Sequence, residues 1–286
     1  RLWDLEGHEM LLDRPTRVAA PVSALAFDEG KLDDGSLRLA VGLSSGGWEV
    51  RTLDLSGGVQ DVRVTKKAEH RHRPDDGGPA RRISCLRFSP EGDLLAVGCA
   101  DASIYIYECG GRFKEQGKCK GHSSAITHID WDEEGTVLRS NCLGHELRFW
   151  QIQSCQQISQ ASALRDFKWA SYTVTLGWHC QGIFAGGASG SGVHGVDLSP
   201  DQTLLASADE FGLINLFRYP CVKPEARGGK PPNRVSFPGH ASAALGCQWT
   251  TVEPSGGSKR RGKRGGDEWL ISIGGLDLTV FQWRRV

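Results

Sequence analysis

The sequence predicts an all-β fold assembled from repeated sheets, and three observations support this prediction. Short apolar runs alternate with polar residues at a period of two, as half-buried strands do. The runs recur at a fixed spacing, and long helical periodicity is absent from the 286-residue sequence. The clearest unit spans residues 86–107. It contains a strand ending at Phe88, a Ser-Pro-Glu-Gly turn, and two further strands at 94–98 and 104–107.

The same unit returns twice more with the same internal spacing. Its first strand ends again at Trp131, 43 residues after Phe88, and at Leu198, 110 residues after Phe88. In all three copies the third strand ends 19 residues after the first, at Tyr107, Trp150 and Phe217. A β-sandwich also has short alternating strands, but it does not have such a fixed offset.

A repeat of this length is typical of a WD-repeat β-propeller, whose blades each contain four antiparallel strands in about 40–45 residues. The fourth, outer strand is expected in the connectors, for example in residues 112–119. Weaker copies open and close the chain, each with an insertion. We therefore predict repeats near residues 22–55, 83–109, 122–153, 193–219 and 240–285.

Two segments depart from this rhythm. Residues 154–190 contain Trp169, which lies 38 residues after Trp131 like the end of another first strand, yet Leu198 follows only 29 residues later. This irregular element is either a degenerate blade or a hairpin inserted between blades. Residues 1–5 resemble the third strand of a blade whose start is missing, so we expect the chain to be part of a larger protein.

Composition gives no sign of nucleic-acid or membrane binding by the chain as a whole. Lys and Arg total 34, and Asp and Glu also total 34, so a charged partner would have to be met by a local patch. No apolar run is long enough to span a membrane. The nine cysteines form no Cys-x-x-Cys pair, so we expect free thiols in a reducing compartment, no metal site and no cofactor.

The last repeat contains a Ser, a His and an Asp that could suggest a hydrolase. A Gly-His pair precedes the first-strand Trp by nine residues, both at His240 and at His122. The set also matches the buried Asp–His–Ser–Trp hydrogen-bond chain of WD repeats, so we predict a structural tetrad and no catalytic residue. Its members are His240, Ser272, Asp277 and Trp283. The His122 repeat keeps Ser140 and Trp150 but has Gly144 where Asp is expected.

The densest basic run is the strongest candidate for partner contact. It lies between the first two strands of the last repeat and is flanked by glycines; its cations are Lys259, Arg260, Arg261, Lys263 and Arg264. It is either a solvated loop or a contact for an acidic surface. A looser basic stretch at 63–82 has the same two interpretations. The Gly-rich residues 186–192 lack the Lys-Ser/Thr ending of a phosphate loop and favour a flexible connector.

Nearly the whole chain resembles the C-terminal propeller region of the echinoderm microtubule-associated protein-like family. The resemblance includes GHSSAITHIDW at 121–131 and the non-repeat segment DFKW at 166–169 with 172–173 and 176–177. Further matching segments are 94–107, 140–141, 209–212, 216–221, 272–277 and 282–283. The chain departs from the family in insertions at 28–36 and 254–268.

The resemblance implies two joined propellers preceded by a hydrophobic motif, with tubulin or the microtubule as partner, often in cilia. We therefore expect a non-catalytic structural or scaffold protein of the cytoplasmic cytoskeleton, with the ciliary axoneme as a candidate location and other axonemal proteins as further partners. The alternative is a WD-repeat adaptor in another complex, such as a ciliary transport or ubiquitin-ligase assembly. The third hypothesis is an enzyme, but no cluster of titratable groups outside the tetrad supports it.

Overall fold

The computed structural model confirms an all-β propeller fold with antiparallel four-stranded blades. It describes residues 2–4, 9–12, 17–28, 36–54, 63–71, 78–184, 192–224, 228–230, 232–251 and 268–285. The chain divides into two compact units, residues 1–170 and 171–286, which are described separately.

The first unit holds a short hairpin and three consecutive blades. The hairpin pairs β1 (Leu2–Asp4) with β2 (Glu9–Leu12). Blade one contains β3 (Val22–Phe27), β4 (Leu37–Leu43), β5 (Gly47–Asp54) and β6 (Arg63–Arg71). Blade two contains β7 (Ile83–Phe88), β8 (Leu94–Cys99), β9 (Ser103–Glu108) and β10 (Lys114–Lys120). Blade three contains β11 (Ile126–Trp131), β12 (Val137–Cys142), β13 (Leu147–Gln151) and β14 (Gln156–Gln157).

The second unit holds two more blades. Blade four contains β15 (Val193–Leu198), β16 (Leu204–Asp209), β17 (Leu213–Arg218) and β18 (Arg234–Pro238). Blade five contains β19 (Ala244–Thr251), β20 (Glu268–Gly274) and β21 (Val280–Arg284). Within the described residues the fifth sheet therefore has three strands, whereas the other four blades have four each.

The outer strands lie in segments that the repeat pattern leaves as connectors. Strand β10 occupies most of the predicted 112–119 segment. Residues 63–71, interpreted above as part of a basic loop or contact, instead form β6 and pair along β5. A strand rich in Lys and Arg at a sheet edge discourages pairing with another chain, which gives these charges a local reason to be there.

The irregular element is built from turns. Residues 158–184, all of which are described, contain two short 3₁₀ helices, Ala161–Leu164 and Gln181–Phe184. Trp169 forms an isolated bridge with Asp132, and its ring lies 4.5 Å from the guanidinium of Arg139. It is therefore buried against blade three and is not part of a strand of its own.

Polar turns set the register between first and second strands. In blade two, the Ser89 hydroxyl donates to Asp93 at 2.6 Å and accepts from the Leu94 amide at 3.0 Å. In blade four, Ser199 accepts from the Leu204 amide at 2.9 Å in the same way. These side chains satisfy backbone groups that the turn would leave unpaired, so each hairpin begins from a fixed geometry.

Within each unit, neighbouring blades bury apolar faces against one another. Strand β7 packs between β3 and β11, so the first strands of blades one to three lie side by side. One core cluster joins blades one and two, a second joins blades two and three, and another joins blades four and five. A thin sheet has no core of its own, so these blades depend on a neighbour within the same unit for their burial.

The structure describes no helix long and apolar enough to cross a membrane. The nine cysteines all lie in the described residues and form no disulfide there, and burial raises the thiol pKa of Cys85 and Cys99 to about 12.

Close approach between blades makes Gly98 on β8 sensitive to substitution. A Cβ there would overlap the Cys85 sulfur and lie 3.0 Å from Ile126 and Ile129. We expect Gly98→Ala to lower the free energy of unfolding by about 1–3 kcal/mol, because overpacking forces neighbouring side chains to move. Urea unfolding followed by circular dichroism measures this. Gly110→Ala is the control, since its Cβ would meet nothing within 4 Å; equal midpoints for the two variants would contradict the expectation.

Candidate functional site

The residues of the predicted tetrad lie together in blade five. His240 precedes β19, Ser272 lies on β20 and Trp283 lies on β21. The Ser272 hydroxyl accepts from the Trp283 indole N–H at 2.8 Å and contacts His240 Nε2 at 2.8 Å. Ser272 is fully buried. One serine hydroxyl thus joins the second strand, the third strand and the loop before the first.

At its acidic end, this hydrogen-bond network includes Thr279, which was not predicted. His240 Nδ1 lies 2.9 Å from the Thr279 hydroxyl and 3.4 Å from the Asp277 carboxylate. Asp277 accepts from the backbone N–H groups of Ala241 at 2.9 Å and Thr279 at 3.3 Å. The carboxylate therefore fixes the loop and the turn on either side of the imidazole, and Thr279 supplies the shorter imidazole contact.

The donors and acceptors form one consistent chain when His240 carries its proton on Nδ1. Trp283 donates to Ser272, Ser272 donates to His240 Nε2, and Nδ1–H faces Thr279 and Asp277. This tautomer gives the Trp283 indole, the Ser272 hydroxyl and both imidazole nitrogens of His240 a partner. A serine hydroxyl that already holds an indole and an imidazole, with no exposed surface, is poorly placed to attack a substrate.

Gly274 makes room for this network. A Cβ at position 274 would overlap the Asp277 carboxylate and lie 2.6 Å from His240 Nδ1. The end of β20 therefore requires glycine for the acid and the imidazole to approach each other.

Blade three contains a second network with a different acid. His122 Nε2 contacts the Ser140 hydroxyl at 2.7 Å, and Trp150 donates to the same hydroxyl at 2.8 Å. The carboxylate of Glu146 lies 3.1 Å from His122 Nδ1 and accepts from the Ser123 amide at 3.1 Å. Gly144 occupies the expected acid position, but Glu146, two residues later and one methylene longer, reaches the imidazole. An acidic residue elsewhere in the same turn was the available sequence signal.

The ionisable groups of the blade-three network have shifted pKa values. Burial lowers the pKa of His122 below its usual 6.5, although Glu146 partly opposes this effect. The Arg148 guanidinium and the Ser123 amide hold the pKa of Glu146 well below its usual range. In blade five, burial opposes ionisation of Asp277, but hydrogen bonds from Thr279 and Ala241 outweigh it and lower its pKa.

Three potential metal ligands also meet in blade three. The ligand atoms of His122, Cys142 and Glu146 lie within 4.8 Å of one another. Arg148 Nε is already 3.2 Å from the Glu146 carboxylate, so a cation would have to compete with an arginine and break the imidazole contact. The arrangement suits a hydrogen-bond network better than a metal centre.

The predicted basic contact lies outside the described residues. Lys259, Arg260, Arg261, Lys263 and Arg264 lie outside the described residues, in the segment between the end of β19 at Thr251 and the start of β20 at Glu268. Most of the Gly-rich segment 186–192 also lies outside them.

The comparisons with known proteins identify the family. The model of the second β-propeller of echinoderm microtubule-associated proteins matches residues 1–285. The chain belongs to this family. The 77 kDa echinoderm microtubule-associated protein of Strongylocentrotus purpuratus is 35% identical over all of this chain and 36% of its own length. Echinoderm microtubule-associated protein-like 1 of Homo sapiens is 32% identical over all of this chain and 30% of its own length.

This family member therefore spans about a third of the length of the curated relatives it matches. Among solved structures, the C-terminal WD40 domain of Sif2 is similar over 92% of this chain and 69% of that chain, with a TM-score of 0.55 and 13% sequence identity. That likeness supports the fold alone.

Ser272→Ala tests whether the blade-five network is structural or catalytic. We expect the free energy of unfolding to fall by about 2 kcal/mol, because His240 and Trp283 would each lose a buried partner. We also expect no hydrolytic activity to be lost. Urea unfolding and p-nitrophenyl acetate turnover measure the two effects, with the exposed Ser154→Ala as control. Ester turnover that disappears only in Ser272→Ala would favour the catalytic hypothesis.

Blade three should be destabilised by mild acid. The folded pKa of His122 is depressed, so its contribution to stability is complete above pH 6.5 and is lost as the pH falls from 6.5 toward the folded pKa. We expect the melting temperature of the first unit to fall between pH 7 and pH 5. His122→Gln should have a smaller pH slope, while His145→Asn, which replaces an exposed histidine of the same blade, should keep the wild-type slope. Identical slopes in all three proteins would refute this assignment.

Proposed function

We propose that this chain is a non-catalytic binding platform that contributes to microtubule association. The observation that carries the proposal is the match to the family's second propeller along residues 1–285. The relatives are named as microtubule-associated proteins, and they cover 99–100% of this chain at 31–36% identity. Since the chain spans about a third of those relatives, it would provide one part of a larger binding surface.

The site geometry supports a non-catalytic role. The Ser, His and Asp that resemble a triad are used to connect strands, and Thr279 and Trp283 complete their hydrogen bonds. Buried networks of this kind rigidify a fold. We infer that both networks are structural. They hold the turns of blades three and five in fixed positions, where a partner can contact them.

The finer assignment is a cytoskeletal protein that binds tubulin in the microtubule lattice, with the ciliary axoneme as one location. The formal charge of the chain is zero, so attraction to an acidic tubulin surface would have to be local. The segment 259–264 places five cations in six positions. It is inserted between the two strands β19 and β20, so its amino-acid sequence can vary without changing the paired part of the blade.

Replacing Lys259, Arg260, Arg261, Lys263 and Arg264 with Ser tests this electrostatic contribution. We expect the affinity for microtubules to fall and its dependence on salt to weaken, because exposed charges are screened within about 8 Å at physiological ionic strength. Co-sedimentation with taxol-stabilised microtubules at several salt concentrations measures both quantities.

A second variant removes the same number of charges elsewhere. It replaces five scattered, exposed cations with Ser: Lys114, Arg165, Arg218, Lys230 and Arg234. We expect a smaller loss of affinity from this control. If the two variants bind equally well, the 259–264 segment is not the contact. If wild-type chain does not co-sediment at all, the propeller alone does not bind microtubules.

A further inference from the structure

The outer edges of blades two and three bring two cysteines together within the first unit. Cys119 lies on β10, the outermost strand of blade two, and Cys155 lies in the turn before β14, the outermost strand of blade three. The two strands contact each other. Cys119 belongs to the core cluster that joins these blades, and Cys155 packs against that cluster. The packing of one blade on the next therefore places the two side chains side by side.

A glycine on β10 makes room for the Cys155 sulfur. A Cβ at Gly117 would lie 2.6 Å from Cys155 Sγ and 3.5 Å from Cys155 Cβ, so the thiol lies directly against the backbone of β10. The register of β10 is regular from Gly117 to Cys119. Residues two apart on a strand share a face, so the Cys155 sulfur lies on the face of β10 that carries the Cys119 side chain.

The turn between β13 and β14 holds Cys155 in this position. The φ angle of Cys155 is 53°, in the left-handed region that residues other than glycine seldom adopt. Its amide donates to the Ile152 carbonyl at 3.3 Å, and its sulfur lies 3.5 Å from the same oxygen. Ile152 is buried in the core cluster between the two blades. The turn is thus anchored at Ile152 and directs the Cys155 thiol toward β10.

The two thiols differ in access and in acidity. Cys119 is buried, whereas Cys155 is half-buried and can meet a small molecule from solvent. Interaction with the Cys119 thiol lowers the pKa of Cys155, and the same contact together with burial raises the pKa of Cys119. Cys109, also half-buried and next to β9 of blade two, has its pKa raised by burial to about 12. Because the thiolate is the reactive form, Cys155 is suited to attack and Cys119 to respond.

We propose that Cys155 and Cys119 form a reversible disulfide between blades two and three when the chain meets hydrogen peroxide. The Cys155 thiolate attacks one peroxide oxygen, the O–O bond breaks, and the other oxygen leaves as hydroxide and is protonated to water. Cys155 is then a sulfenic acid. The Cys119 sulfur attacks the Cys155 sulfur, the S–OH bond breaks, and hydroxide leaves with the Cys119 proton as a second water. Two thiols are oxidised, one peroxide is reduced to two waters, and an external dithiol reverses the change.

The disulfide joins the outer strands of two blades that otherwise only pack against each other. Such a bond constrains the unfolded chain and fixes the outer edges of β10 and β14 at one distance. The bond therefore makes the two blades a single covalently closed unit under oxidising conditions. This proposal is independent of microtubule association, since it requires only the first unit of the chain and an oxidant.

Treatment of the whole chain with hydrogen peroxide tests the proposal. After remaining thiols are blocked with N-ethylmaleimide, peptide mapping without reductant should show a disulfide between Cys119 and Cys155 as the main product, and dithiothreitol should remove it. The melting temperature of the first unit should rise by about 5 °C in the oxidised form. Cys109→Ser removes a half-buried thiol near the same blade edge and should leave both results unchanged.

Two variants test the order of the steps. In Cys119→Ser the sulfenic acid on Cys155 has no thiol to react with, so dimedone should label Cys155 after peroxide treatment. In Cys155→Ser the buried Cys119 should acquire neither dimedone nor a disulfide. Circular dichroism confirms that each variant is folded. Dimedone on Cys119 in the second variant, or an unlabelled Cys155 in the first, would refute the assigned roles.

Gly117→Ala tests the geometry while keeping both cysteines. The added methyl group would displace the Cys155 sulfur, so we expect the disulfide to form about fivefold more slowly, because the bond tolerates little change in position. Gly110→Ala, whose Cβ would meet nothing within 4 Å, should react at the wild-type rate. The proposal is overturned if folded wild-type chain forms no disulfide between Cys119 and Cys155. It is also overturned if that disulfide forms as readily in urea, or if Gly117→Ala reacts at the wild-type rate.

Discussion

The hydrogen bond from a third-strand tryptophan to a second-strand serine is the interaction on which blades three and five depend. In blades three and five that serine also meets the histidine of the preceding loop. A thin sheet obtains apolar burial from its neighbours, but burial alone does not fix how its own strands and loops align. The serine hydroxyl does so at one point. It joins three segments that are up to 43 residues apart in the chain, from His240 to Trp283.

The three inner strands of each blade could be predicted because their signal is local. Alternation and the Ser-initiated turns lie within about 20 residues, and backbone pairing follows from them. The outer strands could be predicted only in part. Strand β14 is only two residues long and has no apolar residue. Strand β18 is exposed throughout, so its two apolar residues, Val235 and Phe237, gave only a weak signal. The basic composition of β6 favoured a loop, although its pairing with β5 makes it a strand.

The polar sites show a similar division. The positions of His240, Ser272 and Trp283 could be inferred from spacing, because strand geometry fixes which side chains share a face. Spacing did not identify Thr279, and it marked Glu146 only as another acid of the same turn, since both roles depend on how a turn directs a side chain toward an imidazole.

The replacement of the expected acid by Glu146 shows how such a blade can keep its network when the acidic residue is substituted. What the imidazole of His122 requires is a negative charge at about 3 Å, and more than one turn position can supply it. A mutation that deletes one acid can therefore be compensated by a longer acid two residues away, without any change in the strands. A search that demands a fixed residue at a fixed spacing would count blade three as degenerate, although its network is complete in space.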